Sequence, residues 1–278
     1  MSEHQIGTVA ALFRYPVKSM LGERLGELAL GPGGVIGDRA WALRELANGR
    51  IVSGKKWRHT FEFSAAYEPG SAAPVITLPD GRKVAADAPG AAEMLSAAFG
   101  ARVEMARAAA DQTWRAAFDP AMVFGDVPFE QMMPALQQHS PVDAGPDDWG
   151  MPKGTFFDVA PLHLLATGTL ARLGRLNPET RFDERRFRPN LLIDAGSGGE
   201  RFVEDDWVGG MLRIGAAAIT VTAPVVRCVM TTHRQADLPR DLAVLRTVAQ
   251  HHQALVGVYA EVAQPGGVRV GDPVTLIK

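Results

Sequence analysis

Glycine and proline punctuate this chain more densely than in an average globular protein, at 29 and 19 of its 278 residues, and that density leaves little room for long helices. Glycine lets the backbone turn sharply and proline removes a backbone donor, so the sequence favours short strands joined by turns. The first half follows this pattern. Residues 7–13 are strand-compatible, and residues 27–30 run into the turn Gly31-Pro32-Gly33-Gly34. Residues 41–44 and 50–53 flank Asn48-Gly49, and residues 75–78 and 83–85 flank Pro79-Asp80-Gly81, giving two hairpin signals. One helix is predicted in this half, over Ala91–Phe99, with Gly100 as its stop.

Between Asp119 and Gly154 the periodicity weakens while Pro, Gly and Asp accumulate. A domain boundary or a long surface crossing is expected there, dividing the chain into 1–118 and 119–278. Further on, residues 162–173 read as helical and residues 191–194 and 211–221 as strands. Residues 239–250 read as a helix with Leu242, Leu245 and Val248 three apart. Strands at 256–262, 268–270 and 274–277 complete the chain. The expected fold is mainly β, a β-barrel with a few helices preceded by a β-rich N-terminal domain.

The net charge of −2 argues against a general grip on nucleic acid, which needs a basic face. A single cysteine rules out an internal disulfide framework, and also an iron–sulfur cluster held only by this chain's thiolates. The N-terminal residues lack the basic start and apolar core of a secretory signal. No run reaches the roughly 20 apolar residues of a membrane-spanning helix. A cytoplasmic protein with no membrane association is expected.

Two glycine-rich stretches imitate nucleotide-binding motifs and fail. Gly49 to Lys56 (GRIVSGKK) has Lys56 where a phosphate loop needs Ser or Thr for magnesium, and an aromatic, strand-like segment comes next. Gly31 to Gly37 has the wrong glycine spacing for a dinucleotide fingerprint and reads as a turn. Nor do the histidines make a zinc site: His251 and His252 are adjacent on a helix and diverge by about 100°. His163 reads as a core or pocket-wall residue. His233, five residues after Cys228, is a candidate base for a cysteine nucleophile, with no third orienting group in view.

Cys228 lies in Val225-Val226-Arg227-Cys228-Val229-Met230-Thr231-Thr232, just after a strand expected to end near Pro224. A neighbouring guanidinium is a setting that favours thiolates, the form that binds metals, and soft sulfur suits a soft transition metal. Alone, Cys228 reads first as a small buried hydrophobe, with metal ligand or nucleophile as the lesser reading. Other segments add cations at strand ends: Lys18 and Ser19 in Tyr15 to Ser19, Arg39 in Gly37 to Trp41, and Arg188 with Asn190 in Phe187 to Asn190. Several cations so placed suit one anionic ligand with a phosphate, which Arg grips bidentately and Lys as a point charge.

Together these segments resemble the MOSC family, the molybdenum-cofactor sulfurase C-terminal domain. The likeness is to the branch with an N-terminal MOSC β-barrel domain, which includes the amidoxime-reducing components and the YcbX-like proteins. It spans nearly the whole chain, through YPVKS, GDRAW, FRPN, EDDW at Glu204 to Trp207, RCVMTT and the terminal VGD at Val270 to Asp272. The resemblance implies a molybdenum cofactor (Mo-molybdopterin), with Cys228 as metal ligand and catalytic centre. It implies cofactor contacts from Lys18, Ser19, Arg39, Asp158, Arg188, Asn190, Arg227, Thr231 and Thr232. Asp158 could equally serve as a helix N-cap. The implied activity is an oxidoreductase acting on small N-hydroxylated or N-oxide-type substrates, with electrons from an external electron-transfer protein. The alternative is a carrier of the cofactor or of sulfur, and a sulfurase-linked role would bring in pyridoxal phosphate. The chain departs from the family where a DPDTG-like loop usually succeeds the RC motif: here His233 to Pro239 reads HRQADLP. That loop is expected at the pocket mouth, which leaves the substrate range open.

Overall fold

A computed structural model describes residues 2–117, 119–139, 147–196 and 201–278. Seven strands close on themselves: β1 (Glu3–Arg14), β2 (Leu162–Ala166), β3 (Leu191–Asp194), β4 (Met211–Ile214), β5 (Ala217–Val226), β6 (Leu255–Gln264) and β7 (Pro273–Ile277). Their order is β3-β2-β6-β5-β4-β7-β1, and β1 pairs back onto β3 to shut the barrel. Neighbours are antiparallel except β2 and β3, which run parallel and therefore need a crossover, supplied by helix Thr167–Leu176.

Period-two alternation divides the barrel strands between two cores. Val9 and Leu12 of β1, Leu162 and Leu164 of β2, and Leu191 and Ile193 of β3 face one apolar cluster with Leu212, Ile219 and Leu276. The intervening Ala11, Phe13, Leu165 and Leu192 join a second cluster with Leu173 of the crossover helix and Val244 and Val248 of helix Ala243–His252. The two helices thus cover part of the barrel's outer face. Burial on both faces removes the polar alternation that would mark a strand, so residues 162–173, expected as one helix, are a strand and then a helix.

The N-terminal part builds its own core from Val17, Met20, Trp41, Phe63, Ile76, Leu95 and Phe99. Its strands Trp41–Glu45 and Val103–Arg107 pair, as do Ser64–Ala66, Val75–Thr77 and Lys83–Ala85. Helix Ala91–Phe99 ends as expected, with Gly100 at φ 64°. The Asn48-Gly49 turn forms with Gly49 at φ 70°, and residues 50–52 return along Trp41–Glu45 through two backbone bonds, Glu45 N to the Arg50 carbonyl (2.9 Å) and Val52 N to the Leu43 carbonyl (2.8 Å), with bridges from Ile51 to Arg44 and Ala116. The expected boundary residue 118 lies outside the described residues. The barrel sheet itself draws β1 from the first span and its other six strands from the second.

Three further expectations need correction. The weakly patterned stretch after Asp119 holds helices Pro120–Phe124 and Phe129–His139. They and the turn between them bury Phe124, Val127 and Met132 against Leu245 and Ala249, so residues 120–139 are packed rather than a surface crossing. The helix expected from 239 starts at Ala243, with the Asp241 carboxylate accepting from its backbone N–H at 2.9 Å. The strand expected over 211–221 is the hairpin of β4 and β5, turning at Gly215 (φ 56°). Among the described residues no helix is long and apolar enough to cross a membrane.

Candidate functional site

β5 carries three register irregularities against β6, the last between Pro224 and Val226. Such bulges bend a strand and re-aim the residues beyond them, and here Arg227 and Cys228 leave the sheet at the edge of a cleft enclosing about 770 Å³, part of it open to solvent. Lys18, Ser19, Arg39, Asp158, Arg188, Asn190, Arg227 and Cys228 all line it. Ser19, Arg39 and Arg188 hold positive φ (67°, 46° and 57°), an uncommon conformation for side-chain-bearing residues that clusters at functional sites.

The charges are arranged unequally. Lys18 Nζ donates to the Phe156 carbonyl at 2.7 Å and to Asp158 Oδ1, while Lys55 Nζ reaches Asp158 Oδ2 at 3.0 Å. Arg39 pairs with Asp38, whose other oxygen accepts from the Tyr15 backbone at 2.7 Å. Arg188 and Arg227 have no carboxylate partner among the described residues. Arg188 donates to the Met20 carbonyl at 2.7 Å and stacks 4.2 Å from the Tyr15 ring, and Arg227 donates to the Phe187 carbonyl. Arg188 Nη2 and Arg227 Nε are buried with no hydrogen-bond partner. Five cations (Lys18, Lys55, Arg39, Arg188 and Arg227) therefore face two carboxylates, with donors left over.

Burial shapes the protonation of these groups. Desolvation pushes Lys18 down, with Asp158 opposing it. Desolvation would raise Asp158, but the two lysine ammoniums outweigh it and hold the carboxyl well below its usual range. Arg188 falls to about 10 through burial and the nearby Arg39 charge, so it stays cationic at neutral pH. Arg227 is lowered mainly by burial. His163, on the cleft wall, is pushed well below its usual value by burial, then by Arg227, and is neutral.

Asn190 lines the cleft but has a structural task as well. Its side-chain oxygen accepts from His163 N at 3.2 Å and its amide reaches the Phe13 carbonyl at 3.4 Å, tying β1, β2 and β3 together. Thr231 and Thr232 do not reach the cleft. Their hydroxyls donate back to the carbonyls of Cys228 (3.0 Å) and Val229 (2.7 Å), closing the short helical turn Val229–Thr232. Asp158 is an ion-pair partner rather than a helix cap, since the next element is β2. His233 is 98% buried, edge-on to Phe61 at 5.8 Å, and desolvation lowers it to about 4. It is not among the cleft-lining residues.

Sequence reasoning missed Lys55, Arg186 and Tyr259. Lys55 hid in the rejected GRIVSGKK stretch, and Tyr259 in an ordinary apolar strand. Arg186 binds the carbonyls of Arg181 (3.2 Å), Thr231 and His233 (3.3 Å each) and Pro239 (2.8 Å), so it holds the HRQADLP loop in place. Within that loop Gln235 and Leu238 exchange backbone bonds around Ala236 at φ 48°.

Strand β6 also borders a second polar cluster. Glu204 is 99% buried and accepts from the Thr169 hydroxyl and from Gly257 N at 3.2 Å. Burial pushes its carboxyl up to about 7. Beside it, His252 bonds Asp205 at 2.8 Å and the Leu255 carbonyl at 2.7 Å, and stacks on Phe202 at 3.8 Å. Gly257, at φ 77°, leaves no room for a side chain: a Cβ would lie 2.3 Å from His163 Nε2.

Two family models match separate parts of the chain. Residues 152–275 match the model described as MOSC domain, and residues 6–117 match the one described as MOSC N-terminal beta barrel domain. Mitochondrial amidoxime-reducing component 1 of Homo sapiens is 27% identical over 304 residues, covering 98% of this chain and 84% of the relative. Mitochondrial amidoxime reducing component 2 of Rattus norvegicus is 33% identical over 131 residues, covering 42% and 37%. Among solved structures, the YUAD protein from Bacillus subtilis aligns over 99% of this chain and 97% of its own, with 12% identity and a TM-score of 0.48.

Proposed function

This chain belongs to the MOSC family, with both its domain and the N-terminal β-barrel domain, and from that premise we propose that the cleft holds a molybdenum cofactor and reduces small N-hydroxylated substrates. The observation that carries the reading is the cleft's surplus of buried cations: Arg188 Nη2 and Arg227 Nε lie without partners beside Cys228. Buried donors without acceptors are costly, and an anionic ligand offers the missing acceptors. Among the described residues no group of three or more His, Cys, Asp or Glu side chains could hold a metal ion. A lone thiol therefore suits a metal whose other ligands arrive with an organic group. The residues present fit such a cofactor.

Lys18, Arg39, Arg188 and Arg227 would hold the cofactor's anionic and polar groups, with Ser19 supplying a hydroxyl, and Cys228 would ligate and tune the metal. The bound cofactor would supply the two-electron chemistry that converts an N-hydroxylated compound, two electrons and two protons into the reduced compound and water. The protein's part is to orient the reacting groups and keep the site electropositive. Electrons would come from an external electron-transfer protein. Pyridoxal phosphate has no support here, because Lys18 at the cleft and Lys55 behind it are both ion-paired to Asp158 rather than available as free amines.

The test is metal and pterin analysis of protein from a host that makes the cofactor, comparing wild type with Cys228→Ala. Wild type should carry both in proportion, and the variant should lose molybdenum. Undiminished molybdenum in the variant would remove Cys228 as ligand, and neither component in wild type would overturn the reading. Turnover of an amidoxime with an artificial reductant then separates catalysis from mere carriage.

A further inference from the structure

Lys55 sits in a stretch that imitates a phosphate loop yet leads into the short 3-10 turn Arg58–Glu62. Its ammonium is 3.0 Å from Asp158 Oδ2 and 3.0 Å above the centre of the Trp149 ring, and the residue is 4% exposed. Lys18 holds the other carboxylate oxygen, so one carboxylate serves two buried ammoniums. The three groups are not equally placed. Lys18 and Asp158 line the cleft, whereas Lys55 stands beyond them and does not. The Asp158 side chain is 37% exposed, against 6% for Lys18 and 3% for Lys55, so the carboxylate is the member with room to move.

An anion arriving at Lys18 must compete with Asp158 for the ammonium, and a carboxylate displaced without a new partner would repel the newcomer. A second ammonium on the far side removes both difficulties. We propose that Lys55 is a positioning residue that takes over Asp158 when an anionic group of the cofactor engages Lys18. The role rests on the cofactor reading above and deepens it: Lys55 touches no ligand, yet it sets how available Lys18 is. The cation over Trp149 holds the ammonium in place, since the ring face attracts it and limits its reach.

The experiment measures pterin retained per chain, and the thermal midpoint, in full-length protein from a cofactor-making host. Wild type, Lys55→Met, Lys55→Arg and the double variant Lys55→Met/Asp158→Asn are compared. Lys55→Met should retain roughly tenfold less pterin, because Asp158 then competes for Lys18 alone. Lys55→Arg should stay near wild type. The double variant should recover, because it removes the competing carboxylate, and this non-additivity is what a simple structural anchor would not produce. Pterin retention in Lys55→Met equal to wild type, or a double variant at least as poor as the single one, would overturn the inference while leaving the cofactor reading intact. A wild type without pterin would overturn the reading, and the inference with it.

Discussion

Strand β6 borders two polar regions that use burial in opposite ways. On the side of the cleft, Tyr259 joins a wall of cations whose donors exceed the acceptors offered by the protein. At Gly257 the same strand donates to Glu204, whose oxygens are met by Thr169 and by the strand itself. The first region carries polarity that folding does not consume, and the second carries polarity that folding does. The contrast separates groups kept for a ligand from groups kept for the barrel, and substitutions on each side should respond accordingly.

The largest effect is expected at Arg186, which belongs to the satisfied class although it sits at the cleft. Arg186→Met strands four carbonyls that its guanidinium now binds. With each stranded buried carbonyl costing about 1–3 kcal/mol and some regaining water, it should cost about 3–5 kcal/mol in denaturant unfolding. A loss under about 1 kcal/mol would erase the distinction from Arg188. Next comes Gly257→Ala, which combines a positive φ with a Cβ 2.3 Å from His163 Nε2. It should cost about 2–4 kcal/mol by the same measurement.

The two regions should also titrate in opposite senses. Glu204 is raised from 4.5 to about 7 in the folded chain, mainly by burial, so between those values the native state holds a proton that the unfolded state releases. Its contribution is therefore present at low pH and lost as pH rises through that window, by roughly 2–3 kcal/mol. His252, raised by Asp205 against the opposing effect of burial, acts in the same direction. Asp158 is depressed, so its contribution is present at neutral pH and lost on acidification. Unfolding free energies at about pH 5 and pH 7.5 for wild type and Glu204→Gln check this: the decline should flatten in the variant. The smallest change in stability is expected for Arg188→Met in cofactor-free protein. It removes an unpaired buried charge along with one bond to Met20, and stability should stay within about 1 kcal/mol. A larger loss would move Arg188 into the satisfied class.

The abundance of turns and the helix stopped by Gly100 were legible because they depend on local backbone chemistry. Residues 162–166 were not, because a strand packed on both faces shows the same apolar run as a buried helix. The segment after Asp119 was obscured because helix Pro120–Phe124 is too short to show a period and Pro134 stands inside helix Phe129–His139. At the site, the cations near strand ends could be picked out because charge beside apolar sequence is conspicuous. What could not be read was their partnership. Arg186 and Arg188 stand two residues apart in one short segment, yet one is saturated by carbonyls and the other keeps a nitrogen without a partner. Thr231 and Thr232 looked available for a ligand, but a short helical turn claims their hydroxyls. Lys55 became visible only when Asp158, 103 positions away, was brought beside it.

Closure of the barrel by β1 bears on how the chain folds. Its long-range neighbours, β3 and β7, lie far along the sequence at Leu191–Asp194 and Pro273–Ile277. Apart from the local ladder of Leu12 to Arg14 with Glu23–Leu25, its edges stay open to other strands until those pairings form, and the contacts that end this exposure are among the longest-range in the molecule. Closing the barrel thus waits on contacts between distant parts of the sequence, and an unpaired β1 is a point of vulnerability to aggregation.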